Sequence, residues 1–152
     1  MTVYAIEVEL QTTKHWWVFE PSTYHDSFFH DWVDHSMEIP TQVSGAIGEA
    51  LTIIAMERLF QARNIEKVTP HPSSKSADFI MDINLGGNTV TSLVEAKGSN
   101  RNLSRPDTAT IAYAASQLLV TRAALASAYA ITKGFALQIA FSSRRIFVVE
   151  VF

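Results

Sequence analysis

Two carboxylates and a lysine occupy positions that a β-hairpin would bring together: Asp78, Glu95 and Lys97. Gly86 and Gly87 separate two runs of apolar and β-branched residues, a pattern typical of a hairpin with a tight turn. If both glycines form the turn, Asp78 lies directly opposite Glu95 on the neighbouring strand. Lys97 follows Glu95 by two residues, so its side chain points to the same face.

Two carboxylates at this separation need a compensating positive charge. Directly opposed side chains have Cβ atoms about 5 Å apart, and carboxylates this close repel each other unless a cation offsets their charge. Mg²⁺ needs only one or two protein carboxylates, so Asp78 and Glu95 would suffice, with the Ala96 carbonyl as a further ligand. The sequence has no cysteine, which excludes thiolate ligands and favours hard cations.

Glu49 is a further candidate ligand. Its neighbours one helical turn away include Gly45, Ala46 and Ile53, which place it on or near the buried side of a helix. A buried carboxylate needs a partner. An ion pair with a nearby lysine or arginine explains Glu49 equally well.

The elements around the hairpin mix strands with helices. An amphipathic pattern predicts a helix from Thr41 or Ser44 to about Arg63, and Asp107 or Thr108 can cap a second helix that reaches about Ala130. A short helix is predicted over 26–35, and one or two strands are predicted in the N-terminal region, over 3–9 and 16–19. Further strands are predicted over 77–83, 89–97, 135–141 and 146–151. We therefore expect an α/β or α+β domain with a mixed sheet.

The length of 152 residues predicts a single domain over 1–152. The composition, 47% hydrophobic and 18% charged, is that of a soluble globular protein. The sequence has no apolar run long enough to span a bilayer. Glu7 and Glu9 stand where a secretory signal would be basic and then apolar. We expect a cytoplasmic protein with no membrane partner.

The net charge of -3 argues against a protein that binds nucleic acid through bulk electrostatics. Basic residues are nevertheless concentrated between positions 67 and 105. Loops that flank the hairpin hold the candidate phosphate contacts: Lys75, Ser76, Arg101, Asn102 and Arg105. A simple solvated loop explains the same residues equally well.

The order of these features resembles that of the PD-(D/E)XK nucleases, which include restriction endonucleases and Holliday-junction resolvases. Their pattern is a helix bearing a glutamate, an aspartate at the start of a strand, and Glu-X-Lys at the end of the next strand. Here it reads SAD at 76–78 and EAK at 95–97, and the resemblance extends from Gly45 to about Thr121. It implies a restriction-endonuclease-like mixed sheet flanked by helices.

The resemblance also implies a role for each matching residue. Asp78, Glu95 and the Ala96 carbonyl would bind Mg²⁺, for which Mn²⁺ can substitute. Glu49 would complete the metal shell, and Lys97 would orient or deprotonate the attacking water.

The chain departs from the family's pattern at two positions. Ala77 replaces the proline that names the motif. Some relatives carry a glutamine followed four residues later by tyrosine, whereas here Gln117 is followed by Thr121. Of these two residues only the glutamine is matched, so Gln117 is a candidate contact to nucleic acid. The alternative is an ordinary polar residue of the helix surface or of an interface.

The sequence therefore predicts a Mg²⁺-dependent endonuclease that hydrolyses phosphodiester bonds, with DNA favoured over RNA. A chain of this length has little room for a separate recognition domain, so cutting both strands of a duplex calls for a homodimer.

Two alternatives stay open. One is a catalytically degenerate module of the same fold that binds nucleic acid or a partner protein. The other is an unrelated enzyme or small-molecule-binding domain, in which a salt-bridge ladder on an exposed hairpin accounts for Asp78, Glu95 and Lys97.

Overall fold

The computed structural model describes residues 2–10, 14–20, 41–68, 77–99, 101–140 and 145–152. Over these ranges the chain has a mixed α+β fold, in which two helices pack on one seven-stranded sheet. The strands are β1 (Thr2–Leu10), β2 (Lys14–Glu20), β3 (Arg63–Lys67), β4 (Phe79–Leu85), β5 (Asn88–Ser99), β6 (Ile131–Ala140) and β7 (Arg145–Glu150). The helices are α1 (Thr41–Phe60) and α2 (Thr108–Leu125).

The strand order in the sheet is β1-β2-β7-β6-β5-β4-β3. Neighbouring strands are antiparallel except β5 and β6, which are parallel. Parallel neighbours need a crossover connection, and α2 provides it by packing on both strands. The carboxyl ends of β5 and β6 therefore lie at the same edge of the sheet, where the chain leaves β5 for α2.

Each helix covers one face of the sheet, because side chains alternate along every strand. On β4, Phe79, Met81 and Ile83 belong to the hydrophobic core under α1, whereas Ile80 belongs to the core under α2. The α1 face of the sheet contacts Leu51, Ala55, Met56 and Phe60, and the α2 face contacts Ile111, Ala114 and Leu118. Burial of each large side chain contributes about 1.5–3 kcal/mol, so both helices are held firmly on the sheet.

The β4–β5 hairpin has the predicted register. Gly86 and Gly87 have φ angles of 57° and 87°, and two positive φ values in succession are the conformation of a type I′ turn. Leu85 pairs with Asn88, and the same register continues along the hairpin. A slip by one residue would move every side chain to the opposite face, so the glycine pair fixes which residues of β5 lie beside β4.

The two long helices predicted from the sequence are confirmed, with different ends. Helix α1 ends at Phe60, because Gln61 adopts a φ of 52° and the chain turns into β3. The sequence did not predict β3, and it placed the end of α2 about five residues too late. The helix predicted over 26–35 lies outside the described residues. Neither α1 nor α2 combines the length and apolarity needed to cross a membrane.

Asp107 caps α2, as predicted. Its carboxylate accepts the backbone N–H of Thr110 at 3.1 Å and the Thr110 hydroxyl at 2.6 Å, and these bonds lower the pKa of Asp107. The Asp107 N–H donates to Oε1 of the buried Gln138 on β6 at 2.7 Å. The start of α2 is therefore tied to the edge of the sheet where β5 ends.

Candidate active site

Asp78 and Glu95 are neighbours at the start of β4. The predicted register holds through the pair Phe79 and Val94, which adjoins both carboxylates. The Asp78 N–H donates to the Val94 carbonyl at 3.0 Å, and the Asp78 charge acts on the pKa of Glu95. The two carboxylates are therefore close to each other. The strand pairing ends at Phe79 and Val94, so the direct cross-strand pairing of Asp78 with Glu95 stays a prediction, as does their role as metal ligands.

The backbone of β5 holds the Asp78 carboxylate in place. Its Oδ2 accepts the Ala96 N–H at 2.9 Å. Burial raises the pKa of Asp78, although this hydrogen bond and the charge of Lys97 act to lower it. The N–H and C=O groups of one strand residue point to the same side of the strand. The Ala96 carbonyl therefore faces the side of β5 on which Asp78 lies.

Glu95 is a buried carboxylate with one oxygen unsatisfied. The residue is 2% exposed, and its Oε1 lies 2.5 Å from Nζ of Lys97. Among the described residues, its buried Oε2 has no hydrogen-bond partner. Burial raises the pKa of Glu95 to about 7, and the hydrogen bond from Lys97 offsets only part of this shift. An unsatisfied buried oxygen is destabilising, and a bound cation would satisfy it.

The ammonium group of Lys97 lies between the carboxylate of Glu95 and the aromatic ring of Tyr113. While its Nζ donates to Glu95, it also lies 5.0 Å from the centre of the Tyr113 ring on α2. A cation over an aromatic face is stabilised electrostatically. The side chain of Lys97 is 26% exposed, so its ammonium group is fixed in position and still reaches the solvent.

Glu49 forms an ion pair close to these residues. Its Oε1 accepts a hydrogen bond from Nζ of Lys67 on β3 at 2.9 Å, and this bond raises the pKa of Lys67. Glu49 and Lys67 both act electrostatically on Asp78. In the part of the chain that the structure describes, no three Asp, Glu or His side chains are grouped closely enough to hold a metal ion. The ion pair is thus the observed role of Glu49, and metal ligation by it stays a prediction.

The loop from β5 to α2 presents polar residues beside the site. Arg101, Asn102 and Arg105 are all exposed. Arg101 also lies 3.4 Å from the carboxylate of Asp107, the cap of α2. The predicted contacts at positions 75 and 76 lie outside the described residues. Three of the five candidate phosphate contacts therefore lie in the loop that follows the Glu-Ala-Lys sequence.

One stripe of α2 spans the site. Tyr113 lies under Lys97, and Thr121, two turns later, accepts the N–H of Ala77 at 2.8 Å. Gln117 lies between them and is 7% exposed, and among the described residues its Oε1 has no partner. Gln117 is therefore not an ordinary residue of the helix surface, and its contact with nucleic acid stays a prediction.

Three residues of this region were not singled out from the sequence as part of the site: Lys67, Tyr113 and Thr121. The spacing of four residues that links Tyr113 and Thr121 to Gln117 was a usable signal, because it puts them on one helical face. Lys67 gave no such signal, since β3 is a short strand of mainly exposed residues.

The chain was compared with models of known families, with curated proteins and with solved structures, and none of these comparisons found a match. The candidate site is accordingly defined by the geometry of the chain's own residues.

Proposed function

We propose that this protein is a Mg²⁺-dependent endonuclease with a restriction-endonuclease-like fold, which hydrolyses phosphodiester bonds in nucleic acid. The observation that carries the proposal is the partly buried Asp78 beside the buried Glu95, whose Oε2 has no hydrogen-bond partner among the described residues. Such a pair is unfavourable unless a cation compensates it, and acid pairs of this kind are concentrated at functional sites.

The groups present suit a hard divalent cation. Asp78 and Glu95 supply carboxylate oxygens, and the Ala96 carbonyl faces the same side of β5. Oxygen ligands of this kind are preferred by Mg²⁺ and Mn²⁺, and Mg²⁺ keeps several waters in addition to one or two carboxylates. When both carboxylates are ionised, Asp78, Glu95 and Lys97 together carry one net negative charge, which also favours a cation.

Each side chain has a distinct task in the proposed reaction. When bound, Mg²⁺ stabilises charge on the phosphodiester and lowers the pKa of its water. Asp78, fixed by the Ala96 N–H, keeps an acidic oxygen in one place beside Glu95. Lys97, held by Glu95 and Tyr113, directs its ammonium hydrogens at the attacking water and at developing negative charge. The burial of Glu95 strengthens its electrostatic interactions with Lys97 and with a bound cation, because the local dielectric is lower than in water.

The substrate class follows from the loop after β5. Exposed Arg101, Asn102 and Arg105 supply side chains that can position a phosphate backbone without reading its sequence. DNA is favoured over RNA because the motif from Asp78 to Lys97 resembles that of restriction endonucleases. Cleavage of both strands of a duplex would use two copies of the chain in a homodimer.

A second candidate function is a nuclease-fold module that binds nucleic acid or a partner protein without cutting. The observation that favours it is that Lys97 and Lys67 form ion pairs with Glu95 and Glu49. On this reading the charged residues form a stabilising cluster, and Oε2 of Glu95 is satisfied by buried water.

A cleavage assay separates the two candidates. Supercoiled plasmid and a structured RNA are incubated with the purified protein in Mg²⁺, Mn²⁺ or EDTA. We expect metal-dependent nicking by the wild type and a loss of about 10²-fold or more in Lys97→Ala. Lys133→Ala is the matched control, because Lys133 also bonds a glutamate, Glu150, on a different part of the sheet.

Cutting by Lys97→Ala at the wild-type rate would contradict the proposed mechanism. Binding of either nucleic acid by the wild type, with no cutting in any metal, would favour the second candidate.

A further inference from the structure

A buried hydrogen bond joins α2 to the residue that precedes Asp78. Ala77 is 2% exposed and Thr121 is 3% exposed. The Ala77 N–H donates to Oγ1 of Thr121 at 2.8 Å. The Thr121 hydroxyl donates its own hydrogen to the Gln117 carbonyl, also at 2.8 Å. This hydroxyl thus acts as donor and as acceptor in two different contacts.

The backbone of Asp78 is held on both sides by neighbouring strands. Its N–H donates to the Val94 carbonyl at 3.0 Å, and its carbonyl accepts the Val68 N–H at 2.9 Å. The bond from Ala77 to Thr121 adds an attachment to the helix above the sheet. The position of Asp78 is therefore determined from β3, β5 and α2 together.

Ala77 and Thr121 are also the two positions at which the chain departs from the pattern of the nucleases that it resembles. A proline at position 77 would have no N–H to donate. Alanine has one, and the residue that accepts it is the threonine at the other departure. The two departures are joined by a single hydrogen bond, so they form one structural unit.

We propose that Thr121 is a positioning residue, which acts through Ala77 to set the place of the Asp78 carboxylate beside Glu95. This inference rests on the proposed function. Without the hydroxyl, the buried Ala77 N–H would have no acceptor, a state that is unfavourable enough to displace the backbone. Asp78 is the next residue, so its carboxylate would move with it. A misplacement of about 1 Å in a catalytic group can reduce the rate by roughly 10²-fold.

Helix α1 provides a matched control. Thr52 is fully buried, and its hydroxyl donates to the Gly48 carbonyl at 2.7 Å, as that of Thr121 does to Gln117. No backbone amide of another described element donates to Thr52. Replacement by valine at either position keeps the side-chain volume and removes the bond along the helix. Only Thr121→Val also removes the acceptor for Ala77.

The experiment measures plasmid cleavage against Mg²⁺ concentration, and Mn²⁺ binding by calorimetry, for four proteins: wild type, Thr121→Val, Thr121→Ser and Thr52→Val. We expect Thr121→Val to lose about tenfold or more in cleavage at saturating Mg²⁺ and to bind Mn²⁺ more weakly. Thr121→Ser keeps the hydroxyl and should restore both properties. Thr52→Val should match the wild type.

Equal cleavage and equal Mn²⁺ binding in Thr121→Val and Thr52→Val would overturn the positioning role while leaving the proposed function intact. A wild type that neither cuts nor binds Mn²⁺ would overturn both. If Thr121→Val does not fold, Thr121→Ser decides the question. Wild-type cleavage by it supports the role of the hydroxyl, and a tenfold loss with an unchanged melting temperature contradicts it.

Discussion

Two aspartates four residues apart, Asp82 in the middle of β4 and Asp78 immediately before it, have different surroundings. Asp82 lies towards the hairpin turn, where its two carboxylate oxygens accept hydrogen bonds from Asn64 at 2.9 Å and from Thr91 at 3.1 Å. Asp78 lies immediately before the strand, where the buried carboxylate of Glu95 is its neighbour. Both oxygens of Asp82 accept neutral donors, whereas Asp78 accepts the Ala96 N–H on one oxygen and lies beside a second acid.

The residue on the adjacent strand makes the difference. Thr91 pairs with Asp82 in the register of the hairpin and donates its hydroxyl hydrogen to the Asp82 carboxylate. The hydrogen bonding of Asp82 is therefore satisfied without a ligand. Glu95, four residues later on β5, supplies a second carboxylate, and its Oε2 has no hydrogen-bond partner among the described residues. The same hairpin therefore has a carboxylate with hydrogen-bonded oxygens at Asp82 and the proposed cation site at Asp78 and Glu95.

The largest expected effect separates these two aspartates. Asp78→Asn should reduce metal-dependent cleavage by more than the roughly 10²-fold that loss of a residue next to a metal ligand typically causes. Asp82→Asn should cut at close to the wild-type rate and lose about 1 kcal/mol of unfolding free energy, because its bonds to neutral donors weaken. Cleavage rates and urea unfolding of both variants check this. A similar loss of cleavage in both variants would remove the functional distinction between Asp78 and Asp82.

The proximity of Asp78 to Glu95 could be predicted because its determinants are local. The two glycines require a turn with positive φ values, and alternation along the flanking strands then fixes the register. Helix α1 and the cap at Asp107 were likewise encoded in short segments.

The remaining contacts of the site depend on tertiary packing that no short segment encodes. Thr121 and Ala77 are 44 positions apart in the sequence, and they meet only because α2 packs on the sheet. Lys67 was missed because only one residue of β3 is even partly buried, which leaves no apolar alternation to indicate a strand. Its contact with Glu49 could not be anticipated without that strand.

The next expected effect concerns the stability of the metal-free protein. The pKa of Glu95 is raised from the ordinary 4.5 to about 7. Between these values the folded protein keeps a proton that the unfolded chain has lost, so stability falls as pH rises through this window. The total loss is up to about 3 kcal/mol. Glu95→Gln should abolish this dependence, and in EDTA it should be more stable than the wild type at pH 8.

Urea unfolding at pH 5 and pH 8 measures this effect, with Glu57→Gln as the control because Glu57 is an exposed glutamate of α1. If the stability of Glu95→Gln and of Glu57→Gln depends on pH as that of the wild type does, burial does not raise the pKa of Glu95. The contrast with Asp82 would then lose its physical basis.

The smallest expected effect tests whether Glu49 belongs to the acidic end of β4. Lys67→Met removes the cation that now binds Glu49. If Glu49 contributes to the ion site, Lys67→Met should bind Mn²⁺ more tightly than the wild type, and Glu49→Gln should bind it more weakly. Calorimetric titration with Mn²⁺ gives both affinities. Unchanged affinities would show that the ion pair between Glu49 and Lys67 stabilises the fold and does not contribute to ion binding.

The most direct measurement is the position of a metal ion in crystals grown with Mn²⁺, located by anomalous scattering. The account predicts one strong peak within coordination distance of carboxylate oxygens of both Asp78 and Glu95. It predicts no peak at Asp82. A peak at Asp82 instead, or no peak at Asp78 and Glu95 at saturating Mn²⁺, would contradict it.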